Sequence, residues 1–202
     1  MRLFILFLVL FMVSALSAQT TQWRLVWDAN VESDMDLYEV YRSTAPNADV
    51  LIGTNTHPDT VYVDSDLERG VQYYYRLKAV NDGGLKSDFS EEVSAAIPDV
   101  LDIPNQIIRT GANFQTFSLS LFVNDPDALP GELVWVSSPT TNIIVDVVGT
   151  DVTITYPPGW SGNESVTFSV EDKDGFNDND VAVFTVLPPL VSPTDLRFEK
   201  ID

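Results

Sequence analysis

The chain has 202 residues, with 11 Lys+Arg against 30 Asp+Glu, a formal charge of -19, no cysteine and a single histidine, His57. So large an acidic excess leaves no basic footprint for a phosphate backbone and excludes nucleic acid as a partner, while 45% hydrophobic and 11% aromatic residues are too many for a disordered acidic polypeptide. The absence of cysteine removes disulfides, thiol nucleophiles, thiolate metal sites and a lipidated N-terminal cysteine, and one histidine cannot build a histidine metal cluster.

In chain order, Met1-Arg2 precedes an almost unbroken apolar stretch from Leu3 to Leu16, followed by the small residues Ser17-Ala18 and then Gln19. This pattern predicts a cleaved signal peptide over 1–18, cut after Ala18 or Ser17. The run is too short for a comfortable span of the ~30 Å hydrocarbon layer, which needs about 20 residues, and nothing later is apolar for long enough. The expected product is secreted or held at the cell surface, with no membrane span after cleavage. A cysteine-free exported chain points to a bacterial source, because small secreted eukaryotic domains are often stapled by disulfides.

Beyond the leader, apolar residues alternate in short runs separated by Gly, Pro, Asn and Asp clusters, and no segment sustains a helical period. The expected fold class is all-β, with two immunoglobulin-like β-sandwiches in series. Prolines set the boundaries: Pro98 and Pro104 bracket a linker over 98–104, and Pro188-Pro189 with Pro193 mark a second break. The expected domains are 19–97 and 105–187, with 188–202 a linker and the possible start of a third module.

In the first block Trp23, Leu25 and Trp27 share one strand face, Tyr38 and Val40 the next, and Tyr73, Tyr75, Leu77 and Ala79 a third. Trp27-Asp28-Ala29-Asn30, Leu37-Tyr38-Glu39-Val40-Tyr41-Arg42-Ser43, Gly70-Val71-Gln72-Tyr73 and Leu77-Lys78-Ala79-Val80-Asn81 together resemble a fibronectin type III domain over 22–97. The resemblance implies that Trp27 is the core tryptophan and Tyr73 a corner tyrosine whose hydroxyl bonds back to the preceding turn. The first strand of that family is short or missing here.

The second block carries Phe114, Phe117, Leu119, Leu121 and Val123, then Asp125-Pro126-Asp127, Leu133-Val134-Trp135, the run Ile143 to Val148, the strand Val152 to Tyr156, and the corner Pro157-Pro158-Gly159-Trp160. Val166, Phe168 and Val170 follow in alternation, then Glu171-Asp172-Lys173-Asp174-Gly175. This is similar to the cadherin-like or immunoglobulin-like tandem repeats of bacterial surface proteins, over 104–187. Phe122 is out of phase with its strand, which predicts a β-bulge. The tail from Leu190 to Phe198 resembles the opening strand of another fibronectin type III domain.

Two clusters are candidates for binding. In an immunoglobulin-like sandwich the loop after the second strand and the last hairpin loop emerge at the end that receives the incoming linker. Those loops hold Asp125, Asp127, Asp172, Asp174, Asp178 and Asp180, and the corner of the first block adds Asp64, Asp66 and Glu68. Hard oxygen ligands converging from flexible loops suit Ca²⁺, and the cadherin resemblance implies a calcium-stiffened junction. The chain departs from that family's full ligand set, with the acidic linker reduced to Asp99 and Asp102. The competing reading is that Asp in loops makes turns and keeps the protein soluble.

The second candidate is Tyr41 and Tyr74, on the outer face beside Glu39, Arg76 and Lys78, as a platform for sugar rings or as plain cross-strand pairs. Trp135 and Trp160 are expected in the core. Catalysis has little to work with: His57 precedes Pro58 without a nucleophile motif, Gly83-Gly84 reads as a hairpin turn, and Asn163-Glu164-Ser165 is a glycosylation acceptor relevant only to a eukaryotic route. The sequence therefore predicts a non-enzymatic exported spacer, adhesion or protein-interaction module facing an extracellular protein or glycan surface. The alternatives are accessory domains of a larger secreted hydrolase, or a carbohydrate-binding module.

Overall fold

A computed structural model of the chain describes Phe7–Leu8 and residues 22–65, 67–129, 131–192, 194 and 197. The expected leader over 1–18 lies outside the described residues apart from Phe7–Leu8, as does most of 193–202, where the opening of a third module is expected.

The alternating runs become strands, and the structure is all-β as they predict. In the first half these are β1 (Phe7–Leu8), β2 (Trp23–Val26), β3 (Met35–Ser43), β4 (Val50–Thr56), β5 (Val61–Asp64), β6 (Tyr73–Asn81), β7 (Val93–Ala95) and β8 (Asp99–Val100). One sheet has the order β1-β2-β5 and the other β4-β3-β6-β7. β1 sets Phe7 opposite Val26, so cleavage after Ala18 would remove it and leave β2 as an edge. In the second half follow β9 (Gln106–Arg109), β10 (Phe117–Ser118), β11 (Val123–Asn124), β12 (Val134–Ser137), β13 (Ile144–Val148), β14 (Asp151–Thr155), β15 (Gly162–Glu171) and β16 (Asn177–Leu187). Their sheets run β10-β14-β13 and β12-β15-β16-β9, while β11 pairs with β8.

The described residues form two compact units. One takes the chain up to Leu101 together with Val123–Trp135 and Ser169–Asn179; the other takes Asp102–Phe122, Val136–Phe168 and the residues from Asp180 onward. Two loop segments of the second sequence block therefore belong to the first unit.

The first unit is built on an aromatic core. Trp27 is buried with its ring 5.3 Å from Tyr38, and Trp23 stands edge-on to Tyr73 at 5.9 Å. The Tyr73 hydroxyl accepts the Glu68 N–H at 3.0 Å, which is the corner bond the resemblance implies. Phe176, from the β15–β16 turn, joins this core at 6% exposure with its ring 5.0 Å from Trp23. Burying such a side chain stabilises by about 1.5–3 kcal/mol, a return that no local sequence pattern announces.

Polar contacts hold the incoming segments beside that core. Val123 and Asn124 pair antiparallel with Val100 and Asp99. Arg69 donates to the carbonyls of Pro98 at 3.1 Å and Asn177 at 3.0 Å and forms an ion pair with Asp178 at 3.3 Å. Gly70 has φ +68°, a left-handed conformation that favours glycine, and a Cβ there would also push the Asn124 side-chain amide aside from 2.5 Å.

The second unit packs a phenylalanine cluster. Phe168 lies 5.8 Å from Phe117 and 6.4 Å from Phe184, both edge-on. β9 runs parallel to β16, Gln106 opposite Phe184, so the block's first strand lies beside its last. The expected bulge at Phe122 is instead a 3-10 turn over Leu119–Leu121, closed by the Phe122 N–H on the Leu119 carbonyl at 3.0 Å. The tighter turn shifts the side-chain phase and sets Phe122 edge-on to Phe117 at 6.0 Å.

Candidate cation site in the acidic loops

The β15–β16 turn is organised by Asp172. Its backbone N–H donates to the Phe176 carbonyl at 2.9 Å, and its Oδ1 accepts the N–H groups of Asp174 at 2.9 Å and Phe176 at 2.8 Å. Gly175, at φ +84°, supplies the left-handed residue that lets the chain reverse. The same turn thus places Phe176 in the aromatic core and fixes one oxygen of Asp172. The residue is 6% exposed, and its other oxygen, Oδ2, is buried without a hydrogen-bond partner among the described residues.

Asp125 and Asp127 come from the loop after β11. Both oxygens of Asp125 are buried without a partner among the described residues. Burial comes first, and the neighbouring carboxylates Asp127 and Asp172 add to it, pushing the Asp125 carboxyl up to about 7. Burial also raises Asp172, to about 6, against the pull of the backbone N–H groups of Phe176 and Asp174. Buried charge without full compensation is expensive, and two remedies exist: a proton on Asp125, or a cation.

One cation is already close. Lys173 Nζ lies 3.1 Å from Asp127 Oδ2 and 2.7 Å from Asp174 Oδ2. Burial opposes its charge, but these two carboxylates outweigh burial and hold the ammonium above its usual range. The ammonium thus compensates two of the four carboxylates, Asp127 and Asp174, and among the described residues no group of three or more acidic or histidine side chains stands ready-made to hold a metal ion.

The remaining acidic candidates are placed differently. Asp178 receives the Val100 N–H at 2.8 Å and pairs with Arg69. Asp180 belongs to the second unit, where it receives the Ile103 N–H at 2.7 Å. Asp64 is buried at 5% exposure, held by Arg42 Nη1 at 3.0 and 2.9 Å and by the Tyr75 hydroxyl at 2.7 Å. The Tyr75 oxygen in turn accepts the Trp23 indole N–H at 2.7 Å. Asp66 lies outside the described residues, and Glu68 is exposed. The geometry therefore brings Asp125, Asp127, Asp172 and Asp174 to one place and commits Asp64, Asp178 and Asp180 to other partners. Sequence reasoning missed Lys173, whose place between two aspartates in Asp172-Lys173-Asp174 was the available signal.

Tyr41 and Tyr74 are half-buried on the outer face of the β4-β3-β6-β7 sheet. The Tyr41 hydroxyl donates to Glu39 at 2.5 Å, and Glu39 also takes Lys86 at 2.6 Å. Phe89 stands edge-on to the Tyr41 ring at 5.0 Å, with Arg76 and Lys78 over Phe89 at 3.9 and 4.2 Å. The Tyr74 hydroxyl donates to Gln72 at 3.0 Å. Trp135 is buried, whereas Trp160 is half-buried against Tyr156 at 6.3 Å. An open trough of ≈ 720 Å³ lies between Asn113–Thr116 and Thr153–Thr155, its polar lining made of amide and hydroxyl groups. Among the described residues no helix is long and apolar enough to cross a membrane.

No protein-family model matches the chain, and no curated protein matches it. Among solved structures it is similar to an Fn3-like protein from Clostridium thermocellum, at 30% identity over 39% of this chain and 79% of that one, with a TM-score of 0.32. It is also similar to pectate lyase PelI from Erwinia chrysanthemi, at 23% identity over 55% of this chain and 33% of that one, TM-score 0.36. Extracellular cadherin domains 1–4 of protocadherin gamma B7 match at 11% identity over 86% of this chain and 47% of that one, TM-score 0.38. The chain spans about a third of the pectate lyase and about half of the protocadherin fragment. These superpositions are partial, and the functional reading rests on the chain's own residues.

Proposed function

We propose that the chain is an exported, non-enzymatic spacer or interaction module whose acidic loop pair binds calcium. The observation that carries this reading is the set of buried carboxylate oxygens without partners among the described residues, both of Asp125 and Oδ2 of Asp172. Asp125, Asp127 and Asp172 would hold the ion, since Ca²⁺ takes oxygen ligands in flexible geometry and tolerates backbone carbonyls and water alongside carboxylates. The backbone N–H groups on Asp172 Oδ1 orient that carboxylate and leave Oδ2 for the cation. Bound there, the ion neutralises the cluster and ties the Val123–Trp135 segment to the Ser169–Asn179 turn within the first unit. The unit then resists opening where Phe176 and Arg69 already clasp it, which suits a module that bears load or presents a surface outside the cell.

The test is to express the chain with its own leader, recover the extracellular fraction, and measure intact mass and bound calcium. The expected product begins at Gln19 or Ala18, carries calcium after gel filtration in millimolar Ca²⁺, and hydrolyses neither polysaccharide nor peptide substrates. A product retained inside the cell, or substrate turnover, contradicts the reading. Loss of glycan binding in Tyr74→Ala would redirect it to a carbohydrate-binding module.

A further inference from the structure

Lys173 has no role in the calcium reading as given, yet it sits inside the proposed ligand set. Its ammonium spans Asp127 at 3.1 Å and Asp174 at 2.7 Å, meeting an Asp127 side chain that is only 11% exposed from a lysine that itself reaches solvent. The carboxylates that Lys173 touches are compensated; both oxygens of Asp125 and Oδ2 of Asp172, which it does not touch, have no partner among the described residues. Among the described residues these acidic side chains do not form a ready-made metal array. Asp127 is turned to a resident cation, and the remaining two carboxylates alone are too few for the six to eight oxygens that Ca²⁺ takes.

Resting on the calcium reading above, we propose that Lys173 is a built-in competitor for the cation: a divalent ion completes its ligand set only by displacing the Lys173 ammonium from Asp127. Two properties of lysine suit this role. Its ammonium is a compact point charge that matches a carboxylate without the fixed two-pronged geometry of arginine, and its four-carbon stem can swing the charge into water when displaced. Its side chain is already 39% exposed. The competitor sets a threshold, so that the site fills only where calcium is abundant, as it is outside the cell, while the unliganded loops stay neutralised enough to fold.

The experiment compares calcium affinity, by isothermal titration with CaCl₂ after chelator treatment, for the exported protein and for Lys173→Met, with Lys173→Gln as a second uncharged variant should the first fold poorly. Both variants are expected to bind Ca²⁺ at least about tenfold more tightly than the parent, equivalent to about 1.4 kcal/mol. In the parent, Lys173 should also become more reactive toward an amine-acetylating reagent, read by peptide mass mapping, when calcium is added. Binding by the variants alone supports the proposal in its strong form. Equal affinity in parent and variants, with unchanged Lys173 reactivity, overturns the competitor role and leaves the calcium site standing. No binding by any of the three overturns both.

Discussion

Two aspartates of the first unit are buried to nearly the same degree, Asp64 at 5% and Asp172 at 6% exposure, and they are treated in opposite ways. Asp64 has both oxygens taken, by the Arg42 guanidinium and the Tyr75 hydroxyl, in a chain that continues to the Trp23 indole. Asp172 has one oxygen held by two backbone N–H groups, while its other oxygen and both oxygens of Asp125 have no hydrogen-bond partner among the described residues. Burial alone thus says little about role. A fully paired buried carboxylate is a structural element, whereas an unpaired one is a standing cost that requires a proton or a cation to remove it.

Four changes break or sharpen this contrast. Phe176→Ala removes the apolar anchor of the Asp172 turn without touching its charge, and should cost about 3–5 kcal/mol, read as a lowered urea midpoint. Asp64→Asn strips the charge facing Arg42 and should cost about 3 kcal/mol, at the low end for a broken buried pair because Arg42 can still reach water. Loss of less than about 1 kcal/mol on the same denaturation assay would show that the Asp64 network is not structural.

Asp125→Asn should behave in the opposite sense when calcium is chelated. The Asp125 carboxyl lies at about 7 and Asp172 at about 6, both above the ordinary 3.8, so the folded state holds these protons more tightly than the unfolded chain. The stability they contribute is complete below pH about 3.8 and is lost as pH rises through about 6 to 7. Urea midpoints in chelator should therefore fall from pH 5 to pH 8 in the parent and fall less in Asp125→Asn, which should equal or exceed the parent at pH 8. An unchanged slope would mean that Asp125 is not the group titrating. The smallest effect is expected from Tyr74→Ala, within about 0.5 kcal/mol, since its hydroxyl donates to Gln72 on the half-exposed sheet face.

Much of the fold was legible because it is written in period-2 alternation. Trp23, Leu25 and Trp27, and then Tyr73, Tyr75, Leu77 and Ala79, fall on buried faces as their spacing requires. Phe122 has the sequence signature of a bulge because a 3-10 turn and a bulge both shift phase by about one residue. The place of Phe176 in the Trp23 core was not legible at all: the contact joins residues far apart in sequence, and a lone Phe after Gly175 looks like any hairpin flank. At the site, the pattern places Asp125, Asp127, Asp172 and Asp174 in loops correctly, but Asp178 and Asp180 lie in β16 and Asp64 ends β5, and no partner is legible for any of them. Asp64, Asp178 and Asp180 read the same as Asp125 and Asp172 until Arg42, Arg69 and the backbone N–H groups of Val100 and Ile103 are placed beside them.

The most direct test of the central claim, that the buried oxygens of Asp125 and Asp172 without partners among the described residues form a cation site, is the thermal melt of the protein in chelator and in rising CaCl₂. The account predicts an upward shift that grows with the logarithm of calcium concentration above saturation, worth about 2.7 kcal/mol at a hundred times Kd, and absent from Asp172→Asn. Superimposable melts in chelator and in millimolar calcium would contradict it.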